Sequence, residues 1–233
     1  MKLCFLSILA EPGTYEPSLY DSMDGGDNEC IWIENTFGHL PGLTIQGYRV
    51  AMGEAVPDPG DGDIFILGGS YNSIHDGFPW QAEIYCWLDK LRATGKPLLG
   101  ICGGHQMMSH LQGSPVEFLS GGVIAGTEAV TLSKDGPASP LMDGLGPSPR
   151  FHFGNQEHVT QVPPGARVLA SHERNPIAAL DYGDGWFSTQ FHPEAKVETL
   201  KAAWRLSKPE YMKNYTETQD GFRLVNNFLM MFQ

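Results

Sequence analysis

The sequence predicts an α/β fold, a central and mostly parallel sheet joined to a small β-rich subregion. Three observations predict it. Short unbroken apolar runs recur, each bounded by Gly, Pro or Asp, as in strands buried on both faces of a parallel sheet. Between two of them lies a segment with helical spacing, which makes a strand–helix–strand unit with a right-handed crossover. From about Gly121 to Asp184 the pattern changes to β-type stretches separated by Pro and Gly turns.

The elements follow in chain order. Leu3–Ala10 is the first strand. Its apolar run is too short for a membrane span, no small-residue cleavage site follows it, and Glu11-Pro12-Gly13 reads as a strand-end turn. Asp63–Leu67 (DIFIL) is the next strand and runs into Gly68-Gly69. Trp80–Thr94 places Ile84, Trp87, Leu88 and Leu91 on one helical face. Gly95 suits its C-terminal cap, and Pro97 restarts the chain. Pro97–Ile101 (PLLGI) is a strand ending at Cys102, and Gly104–Leu111 is a helix that stops near Gly113. Gly126–Leu132, Ala166–Ser171 and Ile177–Leu180 are the β-type stretches, and Gly185–Phe191 is the last strand. Val197–Leu206 and Gly221–Phe232 are helical, with an irregular Pro209–Asp220 between them. No repeat, low-complexity tract or linker interrupts the chain, so one domain over residues 1–233 is expected.

Composition narrows the function classes. Hydrophobic residues make up 41% and aromatics 11% of 233 residues, enough for a sizeable core and against disorder. A formal charge of −12 disfavours nucleic acid and anionic membranes as partners. The four cysteines, Cys4, Cys30, Cys86 and Cys102, are scattered without metal-type pairs. A cytoplasmic location is expected, where disulfides are rare.

Cys102 is the informative residue. In Leu98–Met108 (LLGICGGHQMM) it sits at a strand-to-helix corner with Gly100, Gly103 and Gly104 around it. A tight turn pushes a nucleophile out of the sheet, and glycines let substrate approach the backbone. Amides at the start of the next helix lower a thiol pKa and stabilise an oxyanion. The alternative is a buried packing cysteine, which does not need three glycines. A cysteine nucleophile needs a base held by a third group. The histidines available are His39, His75, His105, His110, His152, His158, His172 and His192. His192 stands in Gln190-Phe191-His192-Pro193-Glu194, directly after a strand, with Glu194 spaced to hold its tautomer. The Cys102-x-x-His105 spacing suggests zinc only if two further ligands exist, and none stands at a sensible spacing. No metal or other cofactor is expected.

Gly-Ile-Cys102-Gly-Gly-His-Gln106, followed 90 residues on by Gln-Phe-His192-Pro-Glu194, resembles the class I glutamine amidotransferase family. Within it, the chain is similar to free-standing proteins like the amidotransferase part of GMP synthase, from Leu3 through the final helix. The resemblance implies a three-layer α/β/α, flavodoxin-like architecture. It implies a Cys102–His192–Glu194 triad and a γ-glutamyl thioester formed from glutamine or a related γ-glutamyl amide. Gly68–Ile74 (GGSYNSI) matches a loop beside the nucleophile, so the Gly69 amide joins that of Gly103 as an oxyanion hole. Gln106, Ser70 and Tyr71 match substrate-side positions. Phe153–Gly165 matches the stretch that grips the α-amino and α-carboxylate groups of glutamine, but it departs from the usual pattern. Asn155 and Glu157 stand where the family carries His and Asp. His158, and likewise His75, falls in a matched loop near the cleft.

Three functions stay open: a free-standing γ-glutamyl amide or peptide hydrolase, a glutaminase subunit feeding ammonia to a separate synthetase, and a non-catalytic binding or regulatory relative. Tyr71, Phe78, Trp80, Phe151 and Phe153 either line a pocket for a bulky amine or pack in the core.

Overall fold

A computed structural model describes residues 1–233. In chain order its elements are β1 (Lys2–Ser7), α1 (Glu29–Phe37), β2 (Thr44–Arg49), β3 (Ile64–Leu67), α2 (Pro79–Ala93), β4 (Leu98–Ile101) and α3 (Gly103–Leu111). Then come β5 (Val116–Phe118), β6 (Ile124–Ala129), β7 (Thr131–Leu132), β8 (Arg150–Asn155), β9 (Glu157–Val159), β10 (Arg167–His172), β11 (Asn175–Gly183) and β12 (Trp186–Thr189). The chain closes with α4 (Val197–Trp204) and α5 (Asp220–Met230). No helix is long and apolar enough to cross a membrane.

One eight-stranded sheet carries the fold, in the order β2-β1-β3-β4-β12-β11-β10-β7. The first five strands run parallel to their neighbours. The remaining three continue it antiparallel. Two small sheets, β5–β9 and β6–β8, stand apart. The β-rich stretch of the sequence is therefore divided: part extends the main sheet and part forms these ribbons. Gly126–Leu132, read as one stretch, breaks at the buried Val130, so β6 and β7 join different sheets. The first strand also stops earlier than its apolar run, at Ser7 rather than Ala10.

Alternation along the strands sorts the core into two layers. Leu3 and Phe5 of β1 face α1 and α5, where Ile33, Phe37, Leu224 and Phe228 meet them. Cys4 and Leu6 face the opposite layer, with Ile84, Trp87 and Leu88 of α2 and Met107 and Met108 of α3. Helices on both sides of the sheet complete the three-layer α/β/α arrangement. Helix α2 runs one residue ahead of its predicted span, with Pro79 at its first turn. Gly95 holds φ +71° just beyond its end.

Sequence patterning did not reveal α1 and β2. Thr44–Arg49 (TIQGYR) is an edge strand with no fully buried residue, so it has no apolar run to read. Helix α1 (ECIWIENTF) mixes β-branched and polar residues and holds only a narrow buried stripe.

Phe191 ties the core to the loop that carries His192. Its ring stacks on Phe151 with centroids 3.9 Å apart, meets Phe153 edge-on, and is fully buried. Phe191→Ala is expected to lower unfolding stability by about 3–5 kcal/mol, read from chemical denaturation midpoints.

Candidate active site

The parallel strands end on one edge of the sheet, and the segments leaving that edge converge. Strand β4 is flanked in register by β3 and β12, with Leu67 opposite Gly100 and Thr189 opposite Ile101. Cys102 follows β4, Gly68-Gly69 follows β3, and His192 lies just past the end of β12. Carboxyl ends of parallel strands are where such sheets build their sites.

Cys102 adopts φ +50°, ψ −100°, a conformation that a residue with a Cβ rarely takes. The surroundings hold it there. Its N–H donates to Thr189 O at 2.7 Å, and its carbonyl accepts from Gln106 N–H at 3.0 Å. The glycines around it let the corner seat closely. A Cβ on Gly104 would lie 2.5 Å from Leu67 O, one on Gly100 2.3 Å from the Met108 sulfur, and one on Gly103 2.9 Å from Ser70 N. The amides of Gly69 and Gly103 make no hydrogen bond within the protein, and they border one another across this contact.

His192 is anchored at its backbone, whose N–H donates to His152 O at 2.8 Å. Its Nδ1 donates to Glu194 Oε1, also at 2.8 Å. Burial opposes a charge on this imidazole. The negative charges of Glu194 and of a nearby Cys102 thiolate, with the hydrogen bond to Glu194, outweigh it and raise the pKa well above the usual histidine value. A Cβ on Gly69 would stand 2.7 Å from His192 Cε1 and 3.5 Å from Cys102 Cβ, so thiol and imidazole meet against that glycine.

Cys102, His192, Glu194 and Gly69 line a cavity of about 530 Å³, and Gly103 is not among the residues that line it. Gly69, Ser70, Tyr71, Gln106, Asn155 and Glu157 line it beside Cys102, His192 and Glu194. The Gln106 amide nitrogen is engaged by Glu157 O (3.0 Å) and Gln190 Oε1 (3.2 Å). Glu157 accepts from the Ser73 hydroxyl at 2.9 Å, and Asn155 Nδ2 donates to Glu157 O at 3.0 Å. Asn155 Oδ1 is buried without a donor. The Tyr71 hydroxyl pairs with that of Tyr20 at 2.5 Å.

Not every expected residue reaches the cavity. His158 lies between Glu157 and Val159 on β9, so alternation turns it away from the face that Glu157 presents, and it does not line the cavity. His75 bonds Val116 O and packs against His110. His105 is buried against the Ser188 hydroxyl at 2.7 Å, and burial pushes its pKa down to about 3. Of the five aromatic residues named from sequence, only Tyr71 lines the cavity. Phe151 and Phe153 pack around Phe191, and Trp80 is buried against Phe78. The aromatic walls come instead from Tyr20, Trp32 and Trp204, on segments whose role no local motif announces.

Two further residues escaped the sequence reading. Gln190 donates to Cys102 Sγ at 3.5 Å and stands inside the His192 motif, where adjacency was a usable signal. Glu29 opens α1, is 7% exposed, and lines the cavity. Its Oε2 accepts the Ser7 hydroxyl at 2.6 Å. Burial lifts its pKa to about 7, against the pull of that hydrogen bond. The charge of Glu194 adds to the rise, and those of His192 and Arg49 oppose it. Only the fold brings it here, 73 residues before Cys102.

Residues 55–205 match the family model for glutamine amidotransferase class-I. The chain is 30% identical over 171 residues to gamma-glutamyl peptidase 5 of Arabidopsis thaliana, covering 71% of this chain and 67% of that protein. It is 33% identical over 143 residues to a glutamine-hydrolyzing GMP synthase subunit of Ignicoccus hospitalis, covering 60% of this chain and 71% of that subunit. The fold superposes on a glutamine amidotransferase of Thermotoga maritima with a TM-score of 0.73 at 17% identity, over 99% of this chain and 97% of that one.

The Glu29 carboxyl yields a stability prediction. Its folded pKa exceeds the unfolded one, so the folded state keeps the proton longer. Its contribution is full below the unfolded value of about 4 and is lost as pH rises through about 7. Glu29→Gln cannot ionise. Its stability relative to the native protein is expected to improve by about 2–3 kcal/mol between pH 5 and pH 8, read from urea midpoints at each pH. A difference that stays flat with pH contradicts the assignment.

Proposed function

The chain belongs to the class I glutamine amidotransferase family, and from that premise we propose that it hydrolyses γ-glutamyl amides whose leaving group is an amine larger than ammonia. The observation that carries this reading is the size of the cavity. At about 530 Å³ it lies within the ~300–1,000 Å³ range of drug-sized ligand sites and exceeds what one glutamine fills. A γ-glutamyl head occupies the end near Ser70, Tyr71, Gln106, Asn155 and Glu157. The rest, between α1 and α4, receives the amine. A relative named a gamma-glutamyl peptidase supports the same substrate class. Residues 1–233 work as one domain in this reading, supported by a sheet that takes strands from both ends of the chain.

Cys102 Sγ attacks the γ-carbonyl carbon, and its proton passes to His192. The carbonyl oxygen becomes an oxyanion received by the Gly69 and Gly103 amides. As the C–N bond breaks, His192 gives its proton to the departing nitrogen, leaving a γ-glutamyl thioester. His192 then takes a proton from water, the hydroxide displaces sulfur to release glutamate, and the proton returns from His192 to the Cys102 thiolate. Glu194 holds the imidazole with Nδ1 protonated, so that Nε2 serves Cys102.

A second reading has one specific support, the relative named as a GMP synthase subunit: a glutaminase subunit that hands ammonia to a separate synthetase.

The test is purified protein alone with glutamine and a panel of substituted γ-glutamyl amides, scored by mass spectrometry of the released amine. Turnover of a substituted amide above that of glutamine is expected. Turnover of glutamine only, and only after a synthetase is added, favours the subunit reading. Cys102→Ala is expected to lose more than ~10³-fold in kcat while its melting temperature is kept. Retained turnover refutes the mechanism.

A further inference from the structure

The part of the cavity beyond the γ-glutamyl end joins two kinds of wall. One is the carboxylate of Glu29. Asn28 Oδ1, which accepts Cys30 N–H at 3.1 Å, already caps α1, so Glu29 is not needed for capping. Ser7 engages Oε2, and Oε1 takes no hydrogen bond from the protein. Arg49, whose charge reaches Glu29, is held by Asp27 at 3.1 Å. No arginine lines the cavity, its one lysine, Lys196, is exposed, and its cationic imidazole, His192, is bonded to Glu194 and not to Glu29. A carboxylate withdrawn from water without a cation is costly, and a glutamine of the same shape avoids that cost.

The other wall is aromatic. The rings of Tyr20 and Trp32 lie 4.8 Å apart between centroids, and both residues line the cavity. Trp32 Nε1 donates to Gly26 O at 3.0 Å, which fixes the plane of the indole. Trp204 stands on the α4 side, its own Nε1 tied to the Tyr215 hydroxyl at 2.7 Å. Fixed aromatic rings beside a carboxylate to which no cation is bonded form a receptor for an ammonium group.

Resting on the hydrolase reading above, we propose that the leaving amine carries a second, protonated nitrogen, which Glu29 receives against the Tyr20 and Trp32 rings. The substrate class is then a γ-glutamyl derivative of a diamine or of another amine with a remote cation. The remote nitrogen takes no part in bond breaking. It binds, and Glu29 determines specificity rather than catalysis. The α-ammonium of the γ-glutamyl head does not fill this role, because that head sits at the Asn155–Glu157 end with its γ-carbonyl carbon at Cys102.

Two amides of equal length separate the ideas: γ-glutamyl-n-pentylamide, with a neutral tail, and γ-glutamyl-4-aminobutylamide, with a cationic one. The native protein is expected to favour the cationic amide by about tenfold or more in kcat/KM, carried in KM, as for one charge-assisted hydrogen bond. In Glu29→Gln the ratio is expected to fall to within about twofold of unity. Equal kcat/KM for the two amides in the native protein overturns the proposal and leaves the hydrolase reading standing. An undiminished preference in the variant does the same. Turnover of neither amide removes the hydrolase reading, and this assignment with it. The native comparison does not depend on how well the variant folds.

Discussion

Parallel pairing of β4 with β3 on one side and β12 on the other is the constraint on which the site depends. Strands paired in register and in the same direction end on the same edge. The chain after each then has no choice but to emerge beside the others. Gly69, Cys102 and His192 are far apart in sequence and neighbours in space for that reason alone. The strained backbone at Cys102 follows from it too. The corner is held by a hydrogen bond to Thr189, on the strand next door, and by a packed contact against the β3 loop. A strained conformation persists only where its surroundings over-determine it.

The same edge explains why the cavity reaches past Cys102, His192 and Glu194. The sheet order reverses between β1 and β3, because β1 is followed by β2 on its outer side and then by β3 on its inner side. Such a reversal opens a crevice between the connections that leave in opposite directions. Helix α1 leaves on one side of it. Ser7 at the end of β1 and Glu29 at the start of α1 meet at its mouth. The cavity thus joins the Cys102 corner to a carboxyl contributed by the first crossover, and α4 closes the far wall.

In the role proposed for it, Glu29 sets stability against function. Burial that lifts a carboxyl to about 7 makes its ionised form a liability in the empty protein. The same burial makes that form a strong partner for a cation, since a charge in a dry site is weakly screened. Functional sites commonly carry such locally unfavourable groups, compensated by the rest of the fold.

The sequence by itself determined the α/β class, the strand that ends at Cys102 and the helix that follows it, and it singled out a corner cysteine and the histidine of the HPE segment as candidates. Each was readable because its signal is local: an apolar run, a helical period, a glycine-flanked turn, a short motif. The tertiary structure alone decided the rest. It placed β2 on the sheet edge, where partial burial leaves no pattern, and carried the antiparallel strands into the main sheet. It turned His158 away while turning Glu157 in, and sent Phe151 and Phe153 to the core. It chose Tyr20, Trp32 and Trp204 as walls and brought Glu29 to the cavity. The physical reason is common to all of these. Which side chains share a space depends on strand order and on which face each residue presents, and both are set by packing among segments distant in the chain.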